Sequence, residues 1–281
     1  MLNPKGLSNL LLFSTVKIET EYPDGTGGIG TGFFFSYPIN ENSHLMLVIT
    51  NKHVVEGTSA SKFQLHTAGS DSKNIFATGE FVTVVLDQFD NNWITHPDPN
   101  VDLCALNFTP ELVQEKNQWY GYVSQLQPEM ILPKDDLRKL RTIEEIIMVG
   151  YPNGIWDDAS HYPLIRRGIT SIHPGLNFKG QNIGVIDAAC FPGSSGSPIY
   201  VLNNSAYSDK ENLVDLENRE ILLGVLYAGA EMTVNGDIGI VEIPTTTKIY
   251  STTKILINLG FYIKAEEIFI LGEHVKKLLG I

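Results

Sequence analysis

Only two cysteines, Cys104 and Cys190, occur in the 281 residues. Each lies in an apolar stretch, which suits a small buried thiol, and two cannot make a disulfide framework. Basic residues are also few: 20 Lys and Arg against 32 Asp and Glu give a formal net charge of -12. A nucleic-acid partner wants a basic face, so that class of function is set aside. No apolar run reaches the length that spans a bilayer, and no membrane partner is expected. The apolar patch near the start has a single early lysine and runs into the alternating Val16-Lys17-Ile18-Glu19. It reads as the lead-in to a first strand rather than a signal peptide, and the default location is cytoplasmic. No His or Cys stands at a zinc-ligand spacing from another, so neither a metal nor another cofactor is expected. The glycine-rich turn Gly25 to Gly32 has no Gly-Lys-Ser/Thr after it, which argues against phosphate binding.

Hydrophobic residues make up 43% of the chain and charged residues 19%, enough apolar mass for a sizeable core. Short apolar or alternating stretches recur at 12–22, 33–35, 45–50, around Phe76, and at 81–86, with a polar turn at Asp87–Asn92. After a polar segment the pattern resumes at 146–152, 165–172, 183–187, 199–202, 221–227, 238–243 and 261–263. Many short strands with Gly/Pro turns predict an all-β sandwich or barrel. Within the polar segment, Thr109-Pro110-Glu111 has the pattern of a helix start, and Lys134–Glu145 reads as partly helical. At the tail Glu266, Glu267, Ile270, Leu271, His274, Val275, Leu278 and Leu279 have helical spacing and predict one amphipathic helix.

The chemistry centres on Cys190-Phe191-Pro192-Gly193-Ser194-Ser195-Gly196-Ser197-Pro198. Gly193 and Gly196 allow a tight turn whose amides converge where a carbonyl oxygen gains negative charge. A serine there needs a base. His53 appears as the apolar strand 45–50 ends, and Asp102 enters the apolar run Val101–Leu106, where a charge needs a partner. In this reading Ser195 attacks a carbonyl, His53 carries its proton and Asp102 fixes the histidine tautomer. The backbone N–H groups of Gly193 and Ser195 would hold the oxyanion. Asp98 rivals Asp102, but its Pro-flanked setting, His96-Pro97-Asp98-Pro99, fits a turn. His161 reads as a surface-loop residue.

The chain order His, Asp, Ser agrees with one of the known triad orders. Together with Thr50-Asn51-Lys52-His53-Val54-Val55, Val101–Leu106 and Asp187–Pro198, it resembles the trypsin/chymotrypsin-like serine peptidases. The closest likeness within them is to the bacterial HtrA/Deg-type protease domain. Gly150-Tyr151-Pro152 and Leu223-Gly224-Val225 also have counterparts there. The resemblance implies a chymotrypsin-like double β-barrel with a C-terminal α-helix, a single peptidase domain over 1–281. The first barrel would span about 12–108, a linker 109–145, the second barrel 146–263 and the helix 265–280. It implies a serine endopeptidase acting on polypeptides. The primary pocket would be lined by Ala189, Cys190, Val225, Tyr227 and Gly229, with Glu231 and Asp237 near its rim. Ala189 stands where trypsin-like enzymes carry the pocket acid, so cleavage after small or apolar residues is expected.

The departures from the family pattern are specific. Ser197 replaces a glycine. Ser194 replaces the aspartate that, in secreted members, pairs with a newly cut N-terminus, so activation through that salt bridge is not expected. The absence of the family's extracellular disulfides fits a reducing compartment. After the barrels the sequence given continues only as the helix, so PDZ-linked regulation is not implied. The polar segments 109–146 and 153–163 offer a surface for a regulatory protein partner. Two other readings stand beside the peptidase: an inactive peptide-binding module of the same fold, and an esterase-like acyl transferase.

Overall fold

The computed structural model describes residues 6–71, 74–87, 93–109, 121–157, 159–203, 207–208, 214–215, 219–237 and 250–281. Its first element is helix α1 (Leu7–Phe13), where the sequence suggested the lead-in to a strand. The run Leu7, Leu10, Leu11 has helical spacing, and Leu10 and Leu11 pack on the central core. Strand β1 (Thr15–Glu21) follows, burying Val16, Ile18 and Thr20 on alternate positions.

Strands β2 (Gly27–Asn40) and β3 (Ser43–Thr50) form a hairpin, and a one-turn helix, α2 (Lys52–Val55), follows β3. The glycines expected as a turn mostly belong to β2 and pair with β1. A Cβ on Gly30 would overlap Val54 of α2, so close packing, not a turn, selects glycine there. The sheet continues with β4 (Ala60–Ser70), β5 (Ile75–Asp87), β6 (Trp93–Thr95), β7 (Cys104–Asn107) and β8 (Gly121–Tyr122). The order is β5-β4-β1-β2-β3-β7-β6, with β8 on β4. Among the described residues the edges β5 and β6 share no ladder. Their seam is apolar instead: Val84, Leu86, Trp93, Leu106 and Phe108 lie in one cluster.

The segment after β8 lies along the first sheet. Leu126 is buried, donates its amide to Phe34 O at 2.9 Å and accepts from Ser36 N at 2.9 Å. A short helix, α3 (Lys134–Leu137), then leads to the second sheet. There β9 (Glu145–Gly150), β10 (Leu164–Thr170), β11 (Ile183–Asp187), β12 (Pro198–Asn203), β15 (Arg219–Asp237) and β16 (Tyr250–Lys264) close a barrel in the order β10-β11-β16-β15-β12-β9. Between β12 and β15, the short strands β13 (Tyr207–Ser208) and β14 (Val214–Asp215) pair with each other. Strands β15 and β16 are longer than the apolar stretches announced and pair as far as Asp237 with Tyr250. The expected strand 238–243, the helix start at Thr109-Pro110-Glu111 and most of the turn at Asp87–Asn92 lie wholly or largely outside the described residues.

Helix α4 (Glu266–Leu279) ends the chain with Glu266 and Glu267 in its first turn, Lys276 and Lys277 in its last, and Gly280 at φ 72°. Each placement favours the helix, the charges through its dipole and the glycine as a left-handed stop. Its buried residues Ile268, Leu271 and Val275 close a core that includes Phe35 and Leu47 of the first sheet and Tyr200 and Val225 of the second. Complete burial of such aliphatic side chains is worth about 1.5–3 kcal/mol each. Buried Glu267 also meets His96 Nε2 at 3.2 Å and Asn182 Nδ2 at 2.8 Å, which ties the helix to both sheets.

His66 on β4 is buried among Phe13, Phe81 and Tyr162, and neither ring nitrogen meets a hydrogen-bond partner among the described residues. His161 joins this aromatic group, stacked on Phe81, rather than decorating a surface loop. Burial, helped by the charge of His161, lowers the His66 pKa to about 4. The unfolded imidazole takes up its proton near 6.5, so protons favour the unfolded chain between these values. Unfolding free energy should fall by up to about 3 kcal/mol as pH drops through that window. Urea titrations across pH should show His66→Phe flattening the acid limb. An unchanged limb would contradict the assignment.

Candidate active site

Strand β3 and helix α2 present the histidine. Asn51, buried, leads into α2 in an extended conformation, and Val54 and Val55 anchor the turn in the first core. Asp102 meets this turn three times. Its carbonyl accepts from Asn51 Nδ2 at 2.8 Å, Oδ1 accepts the His53 amide at 3.1 Å, and Oδ2 lies 2.5 Å from His53 Nδ1. A carboxylate on Nδ1 makes that nitrogen the donor and leaves Nε2 as the basic one. The His53 side chain is 47% exposed and that of Asp102 25%. Asp98 is occupied otherwise. Its carboxylate accepts the Asn100 amide at 2.9 Å and Asn100 Nδ2 at 3.1 Å. The backbone bond is the larger of the causes that hold its pKa below the usual range.

The serine segment is two linked turns. Ser194 N donates to Phe191 O at 3.0 Å, with Pro192 second and Gly193, φ 84°, third. Ser197 N donates to Ser194 O at 3.0 Å, with Ser195 second and Gly196, φ 87°, third. Both follow the type II pattern, in which the third residue needs positive φ. A Cβ at Gly196 would also overlap Thr31 O. Neighbouring elements stitch the turns down: Asn153 N to Pro192 O at 2.5 Å, Gly196 N to Leu226 O at 2.8 Å and Leu226 N to Ser197 O at 2.9 Å. The amides of Gly193 and Ser195 donate to no acceptor among the described residues. Ser195 is half-buried.

Thr31 on β2 joins the two halves of the site. Its Oγ1 donates to Gly193 O at 2.9 Å and accepts from Tyr151 N at 3.2 Å, and its amide donates to Ser195 O at 2.8 Å. From the other side Thr50 Oγ1 donates to Thr31 O at 2.7 Å, at the end of the strand that delivers His53. The structure therefore pairs His53 directly with Asp102, and connects the Ser195 turn to the histidine strand through the backbone of Thr31. Ser197 is fully buried with its Oγ beside Gly150, where a Cβ would overlap it. Glycine at 150 supplies the room that serine at 197 takes up.

The expected pocket residues differ in their setting. Cys190 and Val225 are buried in the cores, while Ala189 and Tyr227 are half-buried and Gly229 is exposed. Burial pushes the Cys190 thiol up to about 11, which makes it a poor nucleophile. Tyr227 borders a hollow of about 290 Å3 with Val101, Asp102, Asn182 and Glu267. Burial and then the charge of Asp102 raise its hydroxyl pKa. The side chains of Glu231 and Asp237 lie outside the described residues. A groove of about 810 Å3 runs past Asn153, Pro192 and Gly193 along Glu21, Gly28 and Lys62 of the first sheet.

These features define a chymotrypsin-like protein: two packed β-sheets, a His–Asp pair on the first and a glycine-flanked serine turn on the second. The trypsin-like peptidase domain model matches residues 30–205. The chain belongs to that family, a family of serine peptidases, and the matched stretch contains His53, Asp102 and Ser195. Among solved structures it is similar to the active form of the Rv3671c protease from M. tuberculosis, with 18% identity over 93% of this chain and 79% of that one and a TM-score of 0.47. It is also similar to the HtrA-type protease AlgW with tripeptide, with 14% identity, 97% and 62% coverage and a TM-score of 0.49. No curated protein shows a significant match.

Thr31→Val keeps the buried shape at the junction and removes both bonds of Oγ1. It should lower stability by about 1–3 kcal/mol in urea unfolding, because the Gly193 carbonyl and Tyr151 amide lose their partner. Wild-type stability in this variant would show that the junction contributes nothing.

Proposed function

We propose that this chain hydrolyses peptide bonds through an acyl-enzyme on Ser195. The observation that carries the reading is the double grip of Asp102 on the amide and ring of His53. With Nδ1–H held by the carboxylate, Nε2 takes the Ser195 Oγ proton as the oxygen attacks the scissile carbonyl. The oxyanion that forms would be met by the Gly193 and Ser195 amides, which donate to no acceptor among the described residues. One such donor is worth about 10²–10³ in rate. His53 then passes the proton to the leaving amine, water enters, and the same proton path runs again to release the acid. Asp102 stays ionised and stabilises the imidazolium at each step.

Polypeptide on the leaving-group side would lie in the groove along the glycine edge of β2. The acyl side would pass the hollow beside Tyr227. With Ala189 in place of a pocket acid, the preferred residue before the cut is small or apolar.

Three measurements check this. A fluorophosphonate probe should label wild type, and Ser195→Ala should abolish the labelling. His53→Ala and Asp102→Asn should each lower kcat by about 10⁴-fold or more. A proteome-wide cleavage profile against the Ser195→Ala control should show cuts after small or apolar residues, and cuts clustered after Lys or Arg would contradict the role given to Ala189. A folded wild type that binds peptide without labelling or turnover would instead mark a binding module. Turnover of esters but not peptides would mark an acyl transferase.

A further inference from the structure

Backbone bonds and Thr31 hold the two serine turns from their neighbours. One charged side chain adds a further hold. Arg166 lies on β10, opposite Met148 of β9 in the closed barrel, and points inward between the exposed Ile165 and Arg167. Its Nη1 donates to the carbonyl of Ala189 and its Nη2 to Ser194 Oγ at 2.9 Å. Ser194 is 1% exposed, and its Oγ also faces the Phe191 amide at 3.4 Å. The planar fork of one guanidinium thus spans the start and the end of the segment Ala189–Ser194, which contains Gly193 and immediately precedes Ser195.

The arrangement is unusual in its charge. Among the described residues no carboxylate pairs with Arg166. Its Nε has no partner either, and burial lowers its pKa. A part-buried cation without a counter-ion is costly unless its hydrogen bonds go to groups that need them. Here they go to a carbonyl and a buried hydroxyl of the turn.

We propose that Arg166 is a positioning residue for the oxyanion turn: its two-pronged bond to Ala189 O and Ser194 Oγ fixes the Gly193 and Ser195 amides in a catalytically competent direction. The inference rests on the serine peptidase reading above. It supplies a cation for the turn from within the barrel, so the site is set as the chain folds, with no cut needed to create a new N-terminus. A lysine keeps the charge but cannot reproduce the fork.

The test compares wild type with Arg166→Met, Arg166→Ala, Arg166→Lys and Ser194→Ala. It reads kcat and KM on a peptide substrate, the rate of fluorophosphonate inactivation, and Tm. Arg166→Met should lower kcat and the inactivation rate together by at least about tenfold, with KM changed by less than about threefold. Arg166→Lys and Ser194→Ala should move the same way by less. Guanidinium chloride at concentrations far below denaturing ones should restore kcat of Arg166→Ala saturably, which loss of packing alone would not allow. Unchanged kcat and inactivation rates in the folded variants would overturn the inference while leaving the peptidase reading intact, as would a fall in Tm without a fall in kcat. If Arg166→Met and Arg166→Ala do not fold, Arg166→Lys and Ser194→Ala decide it by the same criteria. A wild type that the probe never labels would overturn the peptidase reading itself, and the inference with it.

Discussion

A hydroxyl buried between two packed sheets must find partners or cost stability, and Thr31 finds them across the sheets. Its side chain bonds Gly193 and Tyr151, its amide bonds Ser195, and its carbonyl takes the hydroxyl of Thr50. The strand that carries the histidine and the turn that carries the serine are thereby bound to one residue. The ladders lie within each sheet, and the proposed site draws on both. The wider core sealed by α4 holds the sheets together, and the threonine seam fixes the serine turn against the strand that leads to His53.

The two serines that depart from the family pattern are fitted in different ways, one by room and one by a hydrogen bond. Ser197 is accommodated because Gly150, on the neighbouring strand, leaves space for its hydroxyl. Ser194 is accommodated because Arg166 reaches it from below. In each case the residue that makes the fit, Gly150 by leaving space and Arg166 by donating a bond, lies on the second barrel, close in space and distant in sequence.

The division between what the sequence showed and what it concealed follows from pairing. His53, Asp102 and Ser195 were legible because each sits in a local pattern: a polar group at the end of an apolar strand, or a serine between glycines. The Asp102 grip on His53 followed from the need to pair a charge. Most second-barrel strands were legible from their apolar runs, and α4 from its spacing. Thr31, Thr50 and Arg166 were not singled out, because a lone polar residue in a strand gains meaning only once its cross-sheet neighbours are known. Strand β4 leaves no hydropathy pattern because Ser61, His66 and Thr67 fill several of its buried positions. The Gly25 to Gly32 stretch looks like a turn in the sequence because close packing and tight turning select glycine alike. Helix α1 is hidden in the sequence because a short apolar run reads equally as strand or helix.

In the proposed mechanism this seam and these turns present Ser195 and two amides to a carbonyl carbon together. A crystal structure with a peptidyl boronate bound tests it most directly. Boron is expected on Ser195 Oγ, with one boronate oxygen within hydrogen-bond reach of both the Gly193 and Ser195 amides and His53 still held by Asp102. A boronate bound at another residue, or with its oxygens turned away from both amides, would contradict it.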